Sequence, residues 1–142
     1  MHDALAFTIP GPPRGKGRPK FARRGKFVSV YTDDATASYE NLAKLAAQSA
    51  LAGRAPILCA VSVAVRCFYA VPKSASAKLR ADMLSGAVRP TKKPDLDNVG
   101  KAVLDGVNGV AFGDDAQVVN LNCSKHYDET PRVEVTILPL AA

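Results

Sequence analysis

The chain has 142 residues, a length that most simply makes one domain, residues 1–142, which folds without disulfides. Its apolar content of 47% excludes a disordered chain, and its formal net charge of +6 favours a polyanionic partner. No run of about 18 apolar residues is present, and residues 1–13 lack the basic start and apolar core of a signal peptide. We therefore expect a cytoplasmic protein that does not enter a membrane.

The first third of the chain alternates strand and loop signals. Residues 4–9 (ALAFTI) and 27–31 (FVSVY) predict two short strands. Residues 10–26 between them hold seven Lys or Arg, four Pro, four Gly and no acid, which is typical of a loop. A helix is expected from the cap candidates at 32–34 to about Leu51. Its buried face is predicted from helical spacing: Leu42, Leu45, Ala46 and Ser49.

The remaining elements are interspersed strands and helices. Residues 57–71 are dense in β-branched and aromatic residues and predict a long buried strand. A short helix is expected over residues 74–85, and a third helix from Asp97 to about Val110. Residues 117–127 and 132–138 predict two strands joined by DETP, hence a C-terminal β-hairpin. The pattern predicts an α+β fold, a mixed β-sheet with about three helices packed on it.

The cysteines limit the kind of metal site. Cys59, Cys67 and Cys123 are odd in number and contain no C-x-x-C, and the chain has only two histidines. Buried, reduced thiols are therefore expected instead of a disulfide or a zinc site. Any metal should be a hard ion bound through oxygen.

Acidic residues concentrate in residues 93–117, KPDLDNVGKAVLDGVNGVAFGDDAQ, although the chain is basic. Asp95 and Asp97 are two apart, so in an extended segment both point to one side. Asp97, Lys101 and Asp105 follow at i, i+4 and i+8, which places them on one helical stripe. A turn followed by a helix cap explains each short motif taken alone.

A second acidic pair, Asp114–Asp115, stands just before a predicted strand, where neighbouring side chains point in opposite directions. We therefore expect one of the two to join Asp95 and Asp97. Three such carboxylates suit Mg²⁺ or Mn²⁺, which removes their mutual repulsion. The ion lowers the pKa of an attacking water and neutralises charge on a phosphate, and a nearby lysine adds to this. The set predicts metal-dependent phosphodiester hydrolysis.

Two basic segments flank these acids, and we predict that they bind DNA phosphates. The DNA-binding candidates are Arg14, Lys16, Arg18, Lys20, Arg23, Arg24, Lys26, Arg89, Lys92 and Lys93. Phe21 is a candidate to stack on an exposed base.

The stretch KPDLDNVGKAVLDGVNGVAFGDDAQV resembles the signature of the RusA family of Holliday junction resolvases, D-x-D-N-x-x-K-x-x-x-D followed by D-D. The opening FTIPGPPRGKGRPKF also looks like the N-terminal strand and basic loop of that family. The likeness spans most of the chain and is strongest over residues 93–120. One departure from the family pattern is Gly100, just before the lysine. Glycine inside a helix lowers the stability of the helix by about 1 kcal/mol.

The resemblance implies a homodimeric, Mg²⁺-dependent endonuclease that nicks four-way DNA junctions symmetrically in recombination and repair, often encoded by a prophage. Matched by position, Asp95, Asp97 and Asp115 would be the metal-binding catalytic carboxylates, and Lys101 the catalytic lysine. Asp105 and Asp114 also match motif positions, with a less direct role expected.

From the residues alone, two other functions stay open. A basic nucleic-acid-binding protein without activity would bind DNA after loss of the aspartates. A metal-dependent hydrolase of small phosphate esters would have a deep pocket and would not need the basic loop. The resemblance alone favours four-way junctions over flaps or forks.

Overall fold

The computed structural model describes residues 3–17, 20–24, 27–31 and 34–140. The helices and strands, in chain order, are β1 (Leu5–Pro10), β2 (Lys20–Arg24), β3 (Phe27–Tyr31), α1 (Asp34–Leu51), β4 (Val61–Ala70), α2 (Ala77–Ser85), α3 (Leu96–Val107), a single 3₁₀ turn (Asp115–Gln117), β5 (Val118–Asp128) and β6 (Arg132–Pro139).

The main sheet has four strands in the order β1-β6-β4-β5. β4 is antiparallel to β6 and parallel to β5, so the sheet is mixed. The α+β class with a mixed sheet and three helices is thus confirmed. β2 and β3 form a separate antiparallel pair, so part of the predicted basic loop, residues 20–24, is a strand.

The two C-terminal strands run in opposite directions, and residues 129–131 connect them. β4 lies between them, so β5 pairs with β4, whereas β6 pairs with β4 on one side and with β1 on the other. β4 suits this central place because Val61, Val63 and Val65 are buried side chains of the core. β5 is left at the edge of the sheet.

Helix α1 buries a different face from the predicted one. Leu42 and Leu45 are 41% and 52% exposed, whereas Tyr39, Ala43 and Ala47 are buried. Ser49 is exposed and Ala46 is only partly buried, so the predicted face is wrong. The physical reason is close approach to α3, which selects small residues over leucine.

The contact between α1 and α3 is made at Gly106. A Cβ atom at Gly106 would lie 2.6 Å from the carbonyl oxygen of Glu40 and 3.0 Å from Cβ of Ala43. α3 also approaches β5, since a Cβ at Gly100 would lie 3.1 Å from Sγ of Cys123. This approach explains the glycine at position 100, and α3 is fixed between α1 and β5.

The three cysteines are free thiols, as expected. Cys67 is buried, and the other two are partly buried. The described part of the chain has no helix long and apolar enough to cross a membrane.

Candidate active site at the start of the third helix

Two carboxylates stand at the N-terminus of α3. Asp95 is the N-cap residue with extended backbone, φ −70° and ψ 149°, yet its side chain makes no capping hydrogen bond. Asp97 lies in the first turn, where the helix dipole favours a negative charge. The Asp97 side chain is exposed and that of Asp95 is half-exposed. The missing capping bond means that a helix cap does not account for Asp95.

The segment before these aspartates is held from the sheet side by a tyrosine. The Tyr69 hydroxyl donates a 2.8 Å hydrogen bond to the carbonyl oxygen of Pro94. Burial raises the pKa of Tyr69 to about 12, so the phenol stays protonated as a donor. This bond ties the start of α3 to the end of β4.

The N-terminal loop holds the same segment from the other side. The backbone N–H of Lys16 donates to the carbonyl oxygen of Asn98 at 2.9 Å. Gly15 packs so closely that a Cβ there would lie 3.0 Å from Cβ of Asn98 and 3.2 Å from Cβ of Pro94. The N-terminal loop therefore packs against the segment that carries the aspartates, and this close packing leaves little room for a side chain at position 15.

Positive side chains cluster on the segment that leads into the two aspartates. Lys93 Nζ lies 3.1 Å from Asp95 Oδ2. Lys92 Nζ lies 5.9 Å from the ring centroids of both Tyr69 and Tyr127, a cation–π arrangement. Two predicted cations of the 88–93 loop, Lys92 and Lys93, therefore lie at the segment that leads into Asp95.

Sequence reasoning missed one cation of this group, Lys125 on β5. Its Nζ donates to the carbonyl oxygen of Lys92 at 2.7 Å and lies 5.4 Å from the Tyr69 ring. Arg89 Nε in turn donates to the carbonyl oxygen of Lys125 at 2.8 Å. No local signal reveals Lys125, because only the pairing of β5 with β4 brings it here.

The second acidic pair lies at the opposite end of the sheet. The side chain of Gln117 donates to the carbonyl oxygens of Ile57 and Cys59, which holds the turn containing Asp115 beside the start of β4. Asp95 instead follows Pro94, which is bonded to Tyr69 near the end of β4. Val61 and Tyr69 are eight residues apart on that strand, about 26 Å at 3.3 Å per residue.

Within one chain, therefore, the structure brings Asp95 and Asp97 together but leaves Asp114 and Asp115 at a distance. Among the residues described, no group of three His, Cys, Asp or Glu side chains is close enough to hold a metal ion. Asp97 does influence its surroundings, since burial and this carboxylate raise the pKa of the Cys123 thiol.

Lys101 belongs to a row of ion pairs along α3. Its Nζ lies 3.2 Å from Asp105 Oδ1. Lys16 Nζ lies 2.9 Å from Asp105 Oδ2 and 2.6 Å from Glu40 Oε1. The hydrogen bond to Glu40 is the main cause of a raised pKa at Lys16. Burial of Asp105 acts to raise its pKa, but the bonds from both lysines outweigh it and lower that pKa.

The structure describes the positions of some, but not all, of the other predicted DNA-binding residues. Arg14 is exposed on the loop, while the charge of Lys16 is already paired. Lys20, Arg23 and Arg24 lie on strand β2. Arg18 and Lys26 fall outside the described residues.

Comparison with known proteins identifies a family and one relative. Residues 10–138 match the family described as Endodeoxyribonuclease RusA. The chain is also 38% identical over 144 residues to the "Uncharacterized protein YqaN" of Bacillus subtilis (strain 168), with 99% of each chain covered. The family match includes the start of α3, both lysines of the ion-pair row, and both acidic pairs.

Proposed function

We propose, because the chain belongs to the RusA family of endodeoxyribonucleases, that it resolves Holliday junctions by paired, symmetric, Mg²⁺-dependent nicks in DNA recombination and repair. One observation carries the proposal: at the N-terminus of α3, the N-cap residue Asp95 makes no capping hydrogen bond through its side chain, and Asp97 follows it in the first turn. Lys93 pairs with Asp95, and Lys92 and Lys125 cluster on Tyr69, which holds the segment before that aspartate. A polyanion is the substrate that such a surface attracts.

The two aspartates fit the donor set of Mg²⁺, with Mn²⁺ as an alternative. Mg²⁺ in phosphoryl-transfer sites is commonly held by one or two carboxylates, completed by waters and substrate phosphates. Asp95 and Asp97 would hold the ion. Bound there, it supplies a lower pKa for the attacking water and neutralises charge on the phosphate.

The chain's own residues divide the remaining work. Arg89, Lys92 and Lys125 position the DNA backbone through its phosphates. Lys101 lies one helical turn after Asp97, and it stabilises negative charge that develops on the reacting phosphate. Tyr69 keeps the start of α3 in place while the DNA binds.

We also propose a homodimer, because Asp115 is far from Asp95 in a single chain. β5 is an edge strand, and residues 119–122 are exposed, with Val119 at 62%. Two copies of β5 paired antiparallel about a two-fold axis would bring the start of one strand beside the end of the other. Asp115 of the partner subunit would then approach Asp95 and Asp97. A four-way junction has paired equivalent strands, which suits one site per subunit.

The test is cleavage of a labelled four-way junction and of a matched linear duplex, with Mg²⁺ or EDTA, by wild type and Asp97→Asn. We expect paired nicks in the junction only, which need both Mg²⁺ and Asp97. We expect Asp97→Asn to bind the junction at least as tightly as wild type, because a negative charge near phosphate is removed. Tight binding without cleavage by wild type in Mg²⁺ or Mn²⁺ would indicate a binding protein instead.

A further inference from the structure

Asp105 shares its two carboxylate oxygens between two lysines that differ in how firmly they are held. Lys16 binds Oδ2 and Lys101 binds Oδ1. The Lys16 side chain is 25% exposed and also bonds to Glu40, whereas Lys101 is 58% exposed and has this i,i+4 pair alone among the described residues. An exposed i,i+4 ion pair is weak, so it exchanges readily.

Lys16 is fixed from its backbone as well as from its side chain. Its N–H is bonded to Asn98, and Gly15 before it packs on Pro94 and Asn98. The next residue, Gly17, donates its N–H to the Thr36 hydroxyl at 2.8 Å. Lys16 therefore stays with Asp105 when Lys101 moves.

We infer that Lys16 and Asp105 are positioning residues for Lys101: Asp105 holds the lysine beside the site, and Lys16 supplies the counter-charge that lets it leave for the phosphate of bound DNA. This rests on the proposed nuclease function for its consequence in catalysis, but the ion-pair competition exists without DNA.

The competition predicts opposite effects on Lys101 from the loss of Lys16 and from the loss of the Glu40 charge. Without Lys16, two partly buried carboxylates, Glu40 and Asp105, have only Lys101 as a counter-charge, so Lys101 is held back. Without the charge of Glu40, Lys16 serves Asp105 alone, and Lys101 is released. A purely structural ion pair would give both changes the same sign.

The first experiment measures cleavage of the four-way junction at saturating Mg²⁺. In Lys16→Met we expect kcat to fall about fivefold with KM nearly unchanged, the factor that about 1 kcal/mol gives. Adding Asp105→Asn to Lys16→Met should restore part of the loss, since Lys101 is then no longer held back, while it also loses the carboxylate that positions it. Lys44→Met is the matched control, because it removes one exposed charge from α1 that has no ion pair with a described residue.

The second experiment needs no activity and no DNA. The rate of acylation at Lys101 is followed by peptide mass spectrometry on the folded protein, because an ion-paired ammonium holds its proton and reacts more slowly. We expect labelling of Lys101 to slow about twofold in Lys16→Met and to speed up about twofold in Glu40→Gln, as an i,i+4 pair of this strength predicts.

Equal labelling of Lys101 in wild type and both variants would overturn the inference, as would a kcat loss in Lys16→Met that Asp105→Asn does not restore. If Lys16→Met does not fold, Glu40→Gln still decides by its sign. If wild type cuts no junction, the proposed function fails, while the labelling rates still test the inference.

Discussion

Tyr69 holds the segment that leads into the aspartates through its hydroxyl group. Its hydroxyl is hydrogen-bonded to the Pro94 carbonyl oxygen and the residue is 4% exposed, so Tyr69→Phe would leave that carbonyl without this donor. We expect the free energy of unfolding in urea to fall by about 1 kcal/mol, and junction cleavage to fall as the segment before Asp95 loosens. Tyr127→Phe is the control, since its hydroxyl has no hydrogen bond to a described residue. Equal effects of the two changes would remove the special role of Tyr69.

The ion pairs of Asp105 should contribute to the pH dependence of the free energy of unfolding. Its pKa is lowered in the folded state, because the bonds from Lys16 and Lys101 outweigh burial. A lowered pKa stabilises the fold above the ordinary carboxyl range, and this stability is lost as the pH falls through the folded pKa. We expect Asp105→Asn to flatten the decline of the urea midpoint between about pH 5 and pH 2. A decline identical to that of wild type would contradict the ion pairs.

At the scale of elements, the crossing of α1 and α3 gives the sharpest stability prediction. Gly106→Ala and Gly100→Ala each gain about 1 kcal/mol of helix propensity. At Gly106 the new Cβ would lie 2.6 Å from a backbone oxygen of α1, whereas at Gly100 it meets a side chain at 3.1 Å. We expect Gly106→Ala to destabilise by a net ~1–2 kcal/mol in urea unfolding, and Gly100→Ala to be near neutral. The reverse order would mean that the helices do not touch at Gly106.

We expect the loop of residues 88–93 and strand β5 both to contact the phosphates of the DNA backbone. Replacing Lys92 by Ala removes one cation from the Tyr69 and Tyr127 rings, so the slope of log K for junction binding against log salt should become shallower by about 0.9. Lys44→Ala removes the same charge from an exposed position of α1, and there we expect an unchanged slope. Equal slopes for wild type and Lys92→Ala would place the DNA elsewhere.

Periodicity in the sequence predicts the helices and strands, but not how closely they pack against one another. The strand at residues 27–31 and the helix ending at Leu51 follow from local patterns and are where they were expected. The buried face of α1 was wrong because Leu42 and Leu45 are more apolar than Ala43 and Ala47, while close helix contact requires small residues. The position of Lys125 beside Tyr69 and the distance between Asp115 and Asp95 depend on the pairing of β5 with β4. Local sequence patterns do not contain that information.

For the whole molecule, the decisive question is whether one site needs two chains. If Asp95 and Asp97 act with Asp115 of the partner subunit, then Asp97→Asn and Asp115→Asn are each inactive alone. In a mixed dimer both changes fall in one site, and the other site is intact. Random exchange makes half of the dimers mixed, so about a quarter of all sites should cut, giving single nicks instead of paired ones.

The control for this mixing experiment is Asp95→Asn with Asp97→Asn, because both changes lie on the same side of every site. That mixture has no intact site and should stay inactive. A homodimer whose sites each lie within one chain would leave both mixtures inactive. Recovery only with Asp115→Asn would therefore distinguish a shared site from one built by a single chain, and would explain why one chain keeps its two acidic pairs at opposite ends of β4.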